Sequence, residues 1–207
     1  MDTPRDLGLF PLGLVLLPGE RAPLHIFEQR YRQLVADCVL GEEPFVVAMA
    51  DDEGVTRIGC TARVERLLHR FEDGRMNIQV LGLEAVEVIE ETSGRLYFSA
   101  LVRGLVDDTE PPAAELDTEV LERFRALAEQ VVGAPTEPTA PPGTPTSYGV
   151  AGAVELPDEA KQELLEMRSE ADRLDRVNDL LADARIAIDR QKIAAERARQ
   201  NGKVIAS

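Results

Sequence analysis

A nucleophile with its base, a cluster of metal ligands or a phosphate-binding loop would each give this chain chemistry. The serines are Ser93, Ser99, Ser147, Ser169 and Ser207. A nucleophilic serine needs a base within hydrogen-bond reach to activate it. None of the five stands in a GxSxG turn, and their surroundings read as turn, strand, loop and helix. His25 sits between apolar Leu24 and Ile26, where a structural hydrogen bond is the ordinary role of a lone histidine. His69 has no cysteine or carboxylate at a ligand spacing, and two isolated histidines do not make a zinc site. Cys38 and Cys60 lie in apolar segments without CxxC spacing and read as reduced, buried thiols. Gly202-Lys203 lacks both the upstream glycine and the preceding strand of a phosphate loop. Carboxylates abound, but on helix faces and in turns, where solvation accounts for them. The residues therefore point to no catalytic group, no metal and no cofactor.

Charge narrows the partners. There are 38 Asp and Glu against 23 Lys and Arg, a formal charge of −15. Phosphate contacts need clustered Lys and Arg, so a general nucleic-acid binder is disfavoured. From Ile186 onward Arg190, Lys192, Arg197, Arg199 and Lys203 face Asp189 and Glu196, five minus two or +3, which leaves −18 for the rest. The basic stretch reads as a solvated helix end favoured by the macrodipole, with a docking tail as the sharper alternative. The apolar run Leu7–Leu17 is broken by Gly8, Pro11 and Gly13 and closed by Pro18. It is too short for a signal peptide or a membrane span. A soluble cytoplasmic protein with no membrane partner is expected.

Hydrophobic period sets the elements. Leu7–Leu17 reads as extended, with Pro11 confined to an edge or bulge, and Pro18-Gly19-Glu20 as a turn. Ala22–Ile26 is extended again. Phe27, Tyr31, Leu34, Val35 and Cys38 recur at steps of three and four, which predicts a helix over Phe27–Leu40. Glu28 and Arg32 stand in the favourable i,i+4 order, and Gly41 is a stop. Strands follow at Pro44–Ala50, Ile58–Leu68, Asn77–Val88 and Leu96–Val106. Asp73-Gly74 carries a hairpin signal. After Asp107 the period turns helical, with Leu116, Val120, Phe124, Leu127 and Val131 on one stripe. Ala134–Pro145 holds five prolines and reads as an exposed, mobile loop. In the last third Leu164, Met167, Ala171, Leu174, Leu181 and Ile188 follow a heptad-like spacing. Ser169-Glu170-Ala171-Asp172 looks like a capping box and favours two helices there over one. The organisation expected is a β-rich unit over 1–108 and a helical unit over 109–207, with a Pro-rich loop at 134–147.

Particular residues carry a resemblance. Leu9-Phe10-Pro11-Leu12 followed by Val15-Leu16-Leu17-Pro18-Gly19, and above all Pro23-Leu24-His25-Ile26-Phe27-Glu28-Gln29-Arg30-Tyr31-Arg32, resemble the opening of the Lon protease N-terminal, substrate-binding domain. Ile58-Gly59-Cys60-Thr61-Ala62, Asp73-Gly74-Arg75 and Val80-Leu81-Gly82-Leu83 are similar to its later strands, although Leu83-Glu84 stand where that family usually carries an Arg after its Gly. Tyr148-Gly149-Val150-Ala151, Lys161–Glu166 and Arg173-Leu174 resemble its helical part. The resemblance spans roughly Asp6–Leu181. It implies an α+β fold, a PUA-like six-stranded pseudo-barrel with an inserted helix followed by a C-terminal helical bundle.

It also implies a non-catalytic module that binds polypeptide substrates or a partner protein, in company with a separate protease. His25, Phe27, Glu28, Arg30 and Tyr31 are the peptide-binding residues this reading selects. The competing role for the same motif is to close the barrel and seat the first helix, with Arg30 and Arg32 pointing away. A second hypothesis is an assembly protein, a homo-oligomer pairing through the heptad-spaced helices, against intrachain packing of the same residues. A third, a hydrolase or small-ligand binder on a PUA-like barrel, rests on fold analogy alone.

Overall fold

The β-rich first half closes on itself. The computed structural model describes residues 3–52, 54–107 and 114–202, with 195–202 traced by backbone alone. Its strands are β1 (Arg5–Leu12), β2 (Arg21–Ile26), β3 (Phe45–Asp51), β4 (Gly54–Val55), β5 (Ile58–Arg70), β6 (Met76–Thr92) and β7 (Ser99–Gly104), with α1 (Gln29–Gly41) inserted between β2 and β3. The sheet runs β1-β7-β6-β5-β3, and a parallel β1–β3 pairing closes these five strands into a ring. β6 has 17 residues because one of its edges serves two partners. Met76–Leu81 takes β2, and Val86–Thr92 takes β7. With β2 alongside, this is the six-stranded pseudo-barrel with an inserted helix; the two-residue β4 is an addition on β3.

The two-residue period divides the core. Val46 and Ala48 join Leu7, Leu9, Val86, Ala100 and Val102 in one small apolar cluster. Phe45 and Val47, pointing the other way along β3, join the large cluster shared with α1 and the C-terminal helices. Tyr31, Leu34, Val35 and Cys38 are the buried stripe of α1. Phe27 is not part of it. Glu28 is extended and helix begins only at Gln29, so Phe27 lies before the helix and is 58% exposed. Nor does Glu28 pair with Arg32: its carboxylate takes Arg30 at 2.6 Å, while Arg32 Nη1 donates to the Asp73 carbonyl at 3.0 Å.

The first apolar run is strand only as far as Leu12, and Pro11 falls where β1 pairs with β3 alone. Val15, Leu16 and Leu17 stay buried outside the sheet. The Val15 amide donates to Asp158 Oδ1 at 2.9 Å, which ties this strap to the helical half. The Pro18-Gly19-Glu20 turn then docks on β6. Gly19 N–H donates to the Gly82 carbonyl, and Gly82 N–H to the Glu20 carbonyl, each at 2.9 Å. A Cβ on Gly82 would overlap the Leu17 carbonyl oxygen, so this close approach requires glycine.

The second half holds α2 (Ala114–Val132), α3 (Thr146–Ala151), α4 (Asp158–Glu166) and α5 (Glu170–Gly202). The break before α5 falls at the expected cap: Ser169 Oγ accepts the Asp172 amide at 3.3 Å. Leu164, Leu174 and Leu181 are buried in the chain's own core, so their heptad spacing serves intrachain packing. The proline segment has no regular structure, but it is held down rather than loose. Thr139 O accepts Arg21 Nη1 at 2.8 Å, and Arg125 pairs with Glu137. Fully buried Arg173 joins the parts: its guanidinium reaches Asp107, Glu170, the Met167 carbonyl and Ser147 Oγ, and lies 4.5 Å from the Tyr148 ring centre. The boundary drawn at residue 108 lies outside the described residues, and the large core cluster contains residues of both halves.

Candidate functional site

The β5–β6 hairpin turns at Gly74, whose φ of 84° suits glycine. β2 lies beside β6, so the register aligns His69, Asn77 and His25 across three strands. Alternation along β2 turns Leu24 and Ile26 into the core and His25 outward. His25 Nδ1–H donates to Asn77 Oδ1 at 2.6 Å. Its ring stacks with Phe27 (centroids 5.9 Å apart, 21° between planes) and meets the edge of Phe71 at 5.8 Å. His69 packs edge-on against Phe71 at 4.5 Å, and the Arg75 guanidinium lies 5.3 Å from that ring's centre. Both histidines of the chain and two of its six phenylalanines thus gather at one exposed tip. Leu67 and Leu68, 54% and 47% exposed, extend the apolar surface along β5.

The five sequence-selected residues divide into three roles. His25 and Phe27 belong to the tip. Glu28, just before α1, and Arg30, in its first turn, pair with each other, and Arg30 lies over Tyr31 and the half-exposed Phe98, about 5 Å from each ring centre. Tyr31 is only 7% exposed and stacks on Phe10 at 4.1 Å. Burial raises its phenol pKa, with Arg30 opposing. It holds α1 on the barrel and presents almost no surface. His69, Phe71, Asn77 and Leu67 were not selected from sequence: a two-residue Asp73-Gly74 turn would pair His69 with Ile78, whereas the longer turn, closed by the Phe71 amide on the Arg75 carbonyl, sets His69 opposite Asn77.

A second concave surface runs between α2 and α5. It has a volume of about 520 Å³ and is lined by Phe124, Leu127, Val131, Val154, Ala184 and Ile188, among others. Among the described residues no group of three or more His, Cys, Asp or Glu could hold a metal ion, and no helix is long and apolar enough to cross a membrane. Cys38 and Cys60 are free and buried. Burial, then the nearby Glu43, pushes the Cys38 thiol up to about 11. Burial pushes Cys60 higher still.

A ring-closed sheet with one inserted helix, backed by a helical bundle, defines a domain of the Lon N-terminal type. Residues 6–183 match the ATP-dependent protease La (LON) substrate-binding domain, and the chain belongs to that family. A solved Lon N-terminal domain protein from Xanthomonas campestris is 26% identical, with a TM-score of 0.63 over 86% of this chain and 98% of that one. The N-terminal domain of the Mycobacterium avium complex Lon protease, 18% identical, shares the fold with the same TM-score over 86% and 99%.

Proposed function

We propose that this protein is a non-catalytic polypeptide-binding module whose contact surface is the tip formed by His25, Phe27, His69 and Phe71. One observation carries the reading: His25, Phe27 and His69 are exposed and cluster around the half-buried Phe71 beside the start of α1. Rings of this kind bring large apolar area at low entropic cost and dominate protein contacts. Exposed Leu67 and Leu68 widen the surface, and Tyr31 and Glu28–Arg30 hold it in place. The family's substrate-binding role supports the same reading, with unfolded or extended polypeptides in the cytoplasm as ligands and a separate ATP-dependent protease as the downstream partner.

The test is fluorescence anisotropy of a labelled, reduced and alkylated unfolded protein titrated with the full chain. Binding is expected, and it should be lost in Phe27→Ala/Phe71→Ala but kept in Leu96→Ala, which removes an exposed leucine elsewhere. No binding by the parent chain would sink the reading. A second reading, self-association, is favoured only by the groove between α2 and α5 and the exposed Val131, Val132, Ile186 and Ile193 near it. A concentration-independent monomer mass by light scattering removes it.

A further inference from the structure

The three strands at the tip leave two outer edges. Among the described residues β2 pairs only with β6, and it contains Pro23, which cannot donate a backbone hydrogen bond. β5 is different. Its Gly59–Ala62 stretch lies between β3 and β6, but Arg63–Arg70 pairs with β6 alone among the described residues. This eight-residue stretch has no proline, and every residue from Glu65 to Arg70 is exposed. It carries Arg63, Arg66 and Arg70 against Glu65, three minus one or +2, in a chain of −15. Glu65 is already held by Arg21, a bond that lowers its pKa. None of the three arginines makes an ion pair among the described residues; Arg66 donates only to the neutral Gln79, at 2.6 Å. In a protein with 38 carboxylates, an exposed strand whose three arginines have only Glu65 near them, itself bound to Arg21, is an electrostatic feature in search of an anion.

We infer that the Arg63–Arg70 edge of β5 accepts an added β-strand from an extended segment in which apolar and acidic residues alternate. Strand addition supplies main-chain hydrogen bonds without sequence demands, and alternate side chains supply selectivity. On the face shared with Val80 and Ile78, apolar residues of the added strand would meet Val64 and Leu67, and on the opposite face its carboxylates would meet Arg63 and Arg66. The same charges oppose pairing of this edge with its own copy, since like charges across a strand pair are unfavourable. The irregular registers at Val64/Arg66 and Leu67/His69 twist the edge and further discourage flat stacking. The inference rests on the polypeptide-binding reading and names the class of segment that reading leaves open.

Two labelled octapeptides, alternating Val-Glu and alternating Val-Lys, titrated against the full chain, test it. The acidic peptide is expected to bind at least about tenfold more tightly, more weakly as salt rises, and Arg63→Glu/Arg66→Glu should reverse the order. Backbone amides within Arg63–Arg70 should gain hydrogen-exchange protection with the acidic peptide, and those of β2 should not. Circular dichroism melts confirm that the variant is folded. Equal affinity for the two peptides overturns the inference. So does tighter binding of a single-stranded oligonucleotide than of the acidic peptide. If protection is confined to the surroundings of Phe27 and Phe71, strand addition fails while the aromatic tip stands. If neither peptide nor unfolded protein binds, both fall.

Discussion

Arg173 shows how much a single buried charge can organise. Burial opposes its charge, and the hydrogen bonds with Asp107 and Glu170 more than restore it. Arg173→Ala would leave Glu170 and part-exposed Asp107 without their cation. Breaking a buried pair costs about 3–5 kcal/mol, and the exposure of Asp107 puts this case toward the lower end. Urea unfolding should show the loss. Arg173→Lys should recover little of it, because one ammonium cannot reach the four acceptors that the planar guanidinium serves. Full recovery by lysine would show that charge alone matters. Cys38 gives a second, pH-dependent case. Its folded pKa of about 11 lies above the ordinary value of 9.0. The protonated thiol therefore favours the native state fully below about pH 9, and that contribution, about 2–3 kcal/mol, is lost as pH rises through 11. Raised Tyr31 and Tyr97 act with the same sign. Between pH 8 and 10.5 the urea midpoint should fall less for Cys38→Ala than for the parent chain. Equal falls would contradict the assignment.

Elements with a clear period were legible from sequence. The α1 stripe, the Asp73-Gly74 hairpin and the break at Ser169 all follow local rules of spacing, turn and cap. Ser169→Ala should cost about 1 kcal/mol by removing the acceptor for the Asp172 amide. A thermal melt would show it, and an unchanged midpoint would mean that the break is set by packing instead. What escaped sequence was decided at long range. Leu7–Leu17 looks uniformly extended, yet the chain leaves the sheet after Leu12 because Val15 is bonded to Asp158, 143 residues away. The strand expected over Leu96–Val106 begins only at Ser99. Before it, Arg95 donates to the Asp6 carbonyl and Tyr97 is buried. Phe27 fits a helical stripe by spacing, but the extended Glu28 breaks the count. The six-residue α3 has no period of its own and was readable only through family resemblance.

For the whole molecule, the proposed function makes the barrel a platform and the hairpin tip its contact surface. The motif Pro23–Arg32 was legible because it is continuous in sequence, but only His25 and Phe27 from it belong to the exposed cluster. The other half, His69 at the end of β5 and Phe71 just after it, lies more than 40 residues later and becomes visible only once β5, β6 and β2 are in register. Tyr31 looks like a binding residue in sequence because aromatic residues serve both contact and packing; burial against Phe10 decides for packing. The account stands on the tip binding polypeptide. The affinity of the full chain for a reduced, alkylated unfolded protein, compared with that of the Phe27→Ala/Phe71→Ala variant, tests this most directly. The account predicts a loss of about tenfold or more in the variant with an unchanged melting temperature. Equal affinities in two equally stable proteins would contradict it.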